Sequence, residues 1–259
     1  MQAAVNTQSP TNKDGKLFFN LEEVRSHYRK VLRSKSPLYY ERFDQHMLEK
    51  RPRVRALISK AFAKLFPEKV DNLLDIGCGT GFYFPLLAEY AENITGIDLC
   101  MPMLEQAEEL IREKGLANCQ VREGSALDLP FDDNSMDIVH SWDFLHHVTD
   151  VRKAVSEISR VLRPGGRYVA LEPNFLNPSI TWYHLRRRWE WRLFSQNQFS
   201  IPRLFRGSFE GRVSYDNTII SFLDERTWWL WKSIDLLTSL PPLHLLSFRY
   251  ILDCKKHGV

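Results

Sequence analysis

Long apolar runs, paired cysteines and a strong excess of either charge are all missing from this chain. No uninterrupted apolar segment reaches the roughly 20 residues that a bilayer-spanning helix needs. The nearest approach, Trp228 to Phe248, is broken by Lys232, Asp235 and the Pro241-Pro242 pair. The four cysteines are Cys78, Cys100, Cys119 and Cys254. None has CxxC spacing or sits in a Cys/His cluster, which argues against a disulfide framework or a metal site and fits a reducing compartment. The opening residues MQAAVNTQSPTNKDGK lack the apolar core of a secretory signal, so the expected location is the cytoplasm. A formal net charge of +3 over 259 residues does not point to nucleic acid.

The composition is that of a globular protein, 44% hydrophobic and 26% charged. Residues 1–16 are polar and expected to be loose. Residues 21–66 read as helical. Val54, Leu57, Ile58, Ala61, Phe62 and Leu65 form an apolar stripe over Arg51–Phe66, which Pro67 ends. From Asn72, short apolar runs alternate with helical stretches: Leu73–Ile76 then Phe82–Tyr90; Ile94–Ile97 then Met101–Lys114; Cys119–Arg122; Asp137–Ser141 then Val151–Leu162; Arg167–Leu171. This alternation predicts an α/β fold with a doubly wound, mostly parallel sheet and a ligand site at the carboxyl ends of its strands. After Glu172 the alternation weakens. Arg212–Ile220 reads as a strand, Asp224–Leu240 as a helix and Ser247–Cys254 as a final strand. The expected division is therefore a tail with helices (1–66), a core (67–172), an insertion over the sheet edge (173–211) and a C-terminal completion of the sheet (212–259).

The most informative segment is LLDIGCGTG, Leu73–Gly81. A buried strand enters a loop with glycines at 77, 79 and 81. Glycine tolerates positive φ and leaves no Cβ between main chain and ligand. The helix that follows offers free N–H groups. The spacing is GxGxG with Asp75 two residues ahead, not the GxGxxG of dinucleotide sites, and no GxxxxGK[ST] phosphate loop occurs. An acid just before the glycines suits a cationic amino group better than a pyrophosphate. Asp98 closes the next apolar run, where it can accept from two ribose hydroxyls. Taken alone, the glycines also fit a ligand-free turn and Asp98 a helix cap. Together at βαβ spacing they favour a nucleoside-bearing ligand.

These residues resemble the class I S-adenosylmethionine-dependent methyltransferases, and most closely the domain of quinone- and sterol-type enzymes. LLDIGCGTG, GIDLCMPMLEQA, GSALDLPF, FDDNSMDIVHSWDFLHHV and EISRVLRPGGRYVALEP match the family's motifs in order between Leu73 and Glu172. The resemblance implies S-adenosyl-L-methionine as cofactor and a seven-stranded Rossmann-like sheet with an antiparallel last strand. It implies that Asp75 and the loop Gly77, Cys78, Gly79, Gly81 hold the methionine end and that Asp98 holds the ribose. Leu99 or Met103 would pack on adenine, Ser125 and Ala126 would line its edge, and Ser141 at the fourth strand would border the site. Many members carry Asp where Ser125 stands and serine where Cys100 stands.

Methyl transfer from a sulfonium asks the protein to align the acceptor and exclude water, without a metal or a covalent nucleophile. A base is needed when the acceptor is a hydroxyl or a carbon acid. The segment SWDFLHH at the end of the fourth strand makes Asp143, His146 and His147 the candidate bases, with Trp142 near the sulfonium. A structural role for the histidines is the competing reading. The stretch TWYHLRRRWEWRLF, Thr181–Phe194, interleaves Arg186, Arg187, Arg188 and Arg192 with aromatics. It reads as a lid helix with a solvated basic face, as a contact for lipid headgroups in weak peripheral membrane binding, or as an RNA surface, the last disfavoured by the charge. The expected acceptor is a small or amphipathic molecule, a class that includes lipid-linked ones. An RNA or protein methyltransferase and a non-catalytic S-adenosylmethionine-binding module are the alternatives.

Overall fold

A computed structural model describes residues 29–30, 32–33, 44–185, 192–217, 228–238 and 240–258. Two helices lead in, α1 (Met47–Lys50) and α2 (Pro52–Leu65). The helical reading of 21–66 is interrupted between them, because Arg51 precedes proline and takes a non-helical conformation, φ -131° and ψ 73°; residues 21–28, 31 and 34–43 lie outside the described residues. The core follows as β1 (Val70–Ile76), α3 (Phe84–Leu87), β2 (Ala91–Asp98), α4 (Met101–Lys114), β3 (Cys119–Glu123), β4 (Met136–Trp142), a 3-10 turn at Leu145–His147, α5 (Val151–Val161) and β5 (Leu162–Pro173). Then come α6 (Pro178–Leu185), α7 (Ile201–Leu204), β6 (Phe209–Asp216), α8 (Trp228–Thr238), a second 3-10 turn at Leu243–Leu246 and β7 (Arg249–Lys256).

The seven strands lie in the order β3-β2-β1-β4-β5-β7-β6. β1 to β5 pair in parallel, and β7 runs antiparallel to both of its neighbours. The strand expected at Ser247–Cys254 is thus present, shifted to Arg249–Lys256, in the antiparallel sense that the resemblance implied. All seven residues of β4 are buried, as the central strand of a doubly covered parallel sheet requires. Neighbouring residues along β1 feed opposite faces. Leu73 packs with Phe62, Phe84 and Leu104 on one side, and Leu74 with Val139, Ile158 and Tyr168 on the other.

Local chemistry explains several boundaries. Asp150 caps α5 by accepting from Lys153 N at 3.0 Å, and Val151, Ala154, Val155, Ile158 and Val161 make its buried stripe. Gly115 ends α4 in the left-handed region at φ 62°. The helix expected over Phe82–Tyr90 is reduced to Phe84–Leu87, because tight turns such as Tyr90 N to Leu87 O replace its last residues. Arg163–Gly166, between the helix and strand read there, belong to β5, which takes them in through a register shift against β4 and a positive φ at Gly165. The strand read at Arg212–Ile220 begins earlier, at Phe209; residues 218–227 lie outside the described residues. So do 186–191, which include Arg186, Arg187 and Arg188.

Phe62 ties α2 to the sheet. Its ring lies 5.5 Å from His140, 5.8 Å from Tyr83 and 5.9 Å from Trp142, centroid to centroid. Phe62→Ala should therefore cost about 3–5 kcal/mol, read as a lower urea midpoint at unchanged slope. A loss below about 1 kcal/mol would show that α2 is not part of the cooperative core.

Candidate active site

The glycine loop leaves β1 and is pinned from β2. Gly77 N and Cys78 N both donate to Ile97 O, at 2.8 and 3.1 Å. Gly77, Gly79 and Gly81 all have positive φ, at 73°, 56° and 69°. Their surroundings differ. A Cβ at Gly77 would fall 2.3 Å from the Phe144 ring, and one at Gly81 2.9 Å from Phe84, so these two glycines serve packing. A Cβ at Gly79 would meet nothing nearer than the Met103 sulfur at 3.8 Å. Of the three, only Gly79 would take a Cβ without displacing a neighbour. Cys78 turns its thiol into the sheet against Gly96, and burial raises its pKa well above the ordinary value.

Asp98 joins the two strand ends. Its Oδ2 accepts from Gly79 N at 3.1 Å, and its Oδ1 accepts from Cys100 N at the start of α4 at 2.8 Å. Burial raises its pKa above the ordinary 3.8, and the backbone donors partly oppose that rise. Beside it Gly124 N donates to Asp98 O at 3.1 Å, which brings the exit of β3 to the same edge. There Ser125 accepts from Leu127 N at 3.2 Å and Ala126 is buried. Met103 is buried on the first turn of α4, and Leu99, between β2 and that helix, is half-buried.

At the end of β1, Asp75 lies opposite His140 in register and pairs with it, Oδ1 to Nδ1, at 2.7 Å. Ser141, the next residue of β4, points to the other face and is fully buried against the Tyr168 hydroxyl at 2.8 Å. Its side chain therefore sits on the face away from the Asp75 pair.

The three candidate bases follow β4. Asp143 holds a positive φ of 50°, and its carboxylate receives both terminal nitrogens of Arg249 from β7. The same guanidinium lies 5.1 Å from the Trp142 ring, and Trp142 stacks on Tyr83 at 4.5 Å. His146 is buried with Nδ1 at 2.6 Å from Glu172 Oε2. Glu172 Oε1 accepts from Phe144 N at 3.0 Å and Leu145 N at 2.7 Å. One carboxylate thus shapes the whole turn. The His147 ring is 4.0 Å from that of His146, and its carbonyl accepts from Arg192.

His140, Glu172 and Arg249 escaped the sequence reading. A signal existed for Glu172, since an acid closing the apolar run YVAL must be paired when buried. Arg249 gave no such signal, because its partner is far away in the chain. Residues after β5 cover this turn: Arg192 reaches His147 O at 3.2 Å, Gln196 reaches Val148 O at 3.1 Å, and Gln198 meets Asn174 at 2.8 Å.

The family described as "Methyltransferase domain" matches residues 74–170, a span that holds the glycine loop, Asp98 and most of the turn after β4. Residues 74–170 are thus similar to a methyltransferase domain. An uncharacterized methyltransferase of Bacillus subtilis, YcgJ, is 33% identical over 163 residues, 57% of this chain and 64% of the relative. A demethylmenaquinone methyltransferase of Listeria welshimeri is 35% identical over 108 residues, 40% of this chain and 46% of the relative. The matched stretch thus spans 46% to 64% of the length of these two curated relatives. Among solved structures, a geranyl diphosphate C-methyltransferase from Streptomyces coelicolor, holding S-adenosyl-L-homocysteine, superposes with a TM-score of 0.55. It covers 78% of this chain and 77% of its own at 18% identity, a likeness of fold.

The matched region has features that fit S-adenosylmethionine. Gly79 leaves room for close approach, and Thr80 Oγ1 is buried without a hydrogen-bond partner among the described residues. Asp98 keeps lone pairs beyond those its two amides use. Asp98→Ala should weaken S-adenosylmethionine binding by about 2–3 kcal/mol, roughly 30- to 150-fold in Kd by calorimetry. The wild-type affinity should also fall on acidification, beginning above the ordinary aspartate range, since the raised pKa makes Asp98 take up its proton early. Asp98→Ala should lack that inflection; a retained one would assign it to another group.

Proposed function

We propose that this chain transfers the methyl group of S-adenosylmethionine to a small or amphipathic acceptor. The observation that carries the reading is Asp98, set at the end of β2 and tied to both Gly79 N and Cys100 N, where a ribose diol would be held. In this reading Asp75 and the loop at Gly77–Gly81 take the methionine end, Leu99 and Met103 the adenine face, and Ser125 and Ala126 its edge. Bound there, the cofactor supplies an electrophilic sulfonium methyl. The side chain of Ser141 takes part only through the core, given its bond to Tyr168.

The glutamate behind His146 supports a base at that position. With Glu172 at Nδ1, that nitrogen carries the proton and Nε2 is the basic atom, the arrangement that orients a general base. His147, stacked beside it, is the second candidate. Asp143 is engaged by Arg249 and more readily holds the turn than accepts a proton. The segment 173–211 acts as the lid, for its side chains already bond to the turn after β4.

An amphipathic acceptor is supported by α8. Asp235 and Thr238 are bonded to Asn217, while Trp229, Leu230, Leu236 and Leu237 are exposed. Leu240, Leu243, Leu245 and Leu246 extend this apolar surface. Exposed Trp and Leu beside Lys232 suit the edge of a bilayer or micelle, so weak peripheral contact belongs to the proposal. No helix among the described residues is long and apolar enough to cross a membrane. Four buried cysteines without disulfides support a cytoplasmic setting.

Labelled-methyl transfer into fractionated extracts tests the function. Label should enter the lipid or small-molecule fraction; label in RNA or protein would replace the acceptor class, and binding without transfer would leave a cofactor-binding module. His146→Gln should reduce turnover by about 100-fold or more while leaving cofactor Kd within about threefold. Normal turnover would move the base elsewhere. Co-sedimentation with anionic vesicles at low salt should be measurable and fall at high salt; equal, negligible pelleting with neutral and anionic vesicles would remove membrane contact.

A further inference from the structure

The Asp75–His140 pair is buried on both sides, and its geometry reaches past cofactor recognition by Asp75 alone. β1 and β4 set the two residues opposite each other in register, and Nδ1 lies 2.7 Å from Oδ1. The His140 ring is fully buried between Phe62, at 5.5 Å and nearly perpendicular, and Phe66, at 5.9 Å. Its Nε2 has no hydrogen-bond partner among the described residues. The ring therefore has one polar contact, the carboxylate, and aromatic walls hold it there. Among the described residues the second oxygen of Asp75, Oδ2, accepts from no protein donor. A buried carboxylate with one oxygen engaged and the other unmatched is half of a charge pair. The His140 hydrogen bond is the protein contact that holds the Asp75 carboxylate in one orientation.

We propose that His140 is a positioning residue: it fixes the rotamer of Asp75 so that Oδ2 receives the ammonium of the cofactor's methionine end. This rests on the S-adenosylmethionine reading above. It assigns His140 to one end of the cofactor and none to the nucleoside end, which Asp98 serves. That division makes the role separable from general structural support.

Calorimetry with two ligands tests it. S-adenosylmethionine carries the amino acid; methylthioadenosine has the same nucleoside and sulfur but no amino acid. His140→Phe fills the aromatic niche without a donor and should weaken S-adenosylmethionine by about 10- to 100-fold while leaving methylthioadenosine within about twofold. His140→Asn, whose amide can stand near the place of Nδ1, should recover most of the loss. If the phenylalanine variant does not fold, His140→Gln, with its donor one bond too far, should show the same selective weakening. Equal weakening of both ligands, or no weakening of either, in a folded variant overturns the positioning role. A wild-type protein that binds neither ligand overturns the cofactor reading itself, which is a different outcome.

Discussion

Two backbone amides from different parts of the chain converge on the Asp98 carboxylate, and the cleft takes its shape from that convergence. Gly79 N belongs to the loop after β1, and Cys100 N to the first turn after β2. Neither amide has another place to go at the carboxyl edge of a parallel sheet, where strand hydrogen bonds end and helix bonds have not begun. An acid there satisfies both and brings the glycine loop to the side of the α4 N-terminus. The cost is a desolvated carboxylate, which shows as its raised pKa. A nucleoside diol arriving at the same edge would relieve part of that cost, so the strain of the free site and the affinity for a ligand have one origin.

A second buried carboxylate organises the other half. Glu172 collects Phe144 N, Leu145 N and His146, and so determines how β4 turns toward α5. Arg249 adds a clamp from β7 by gripping Asp143 and covering Trp142. The antiparallel last strand is therefore more than a sheet edge; it supplies the cation that lets a non-glycine residue persist at positive φ. The proposed nucleoside site depends on β1 to β3, while the turn proposed to meet the acceptor depends on β4, β5 and β7. The two halves meet at Asp75 and His140, side by side on β1 and β4.

Much of the core was legible in the sequence because its signals are local. Met101–Lys114 is legible with its observed bounds, since a 3.6-residue stripe runs through it and a glycine stop follows at Gly115. The glycine loop and Asp98 were legible as a pair because βαβ spacing brings successive strand ends together whatever the details of the fold. The region after Glu172 was not, as its short helices are stitched down by Asn174, Asn177 and Gln198 rather than by an apolar period.

By itself, then, the sequence determined the alternation of strands and helices, the place of the glycine loop and the acid that follows it. The tertiary structure decided which polar side chains are spent on one another. Asp143 and Arg249 are 106 residues apart, Asp75 and His140 65, and His146 and Glu172 26. No spacing rule links such pairs, because their meeting depends on sheet order and register. Only once burial has removed water must each charge take the partner that register has put beside it.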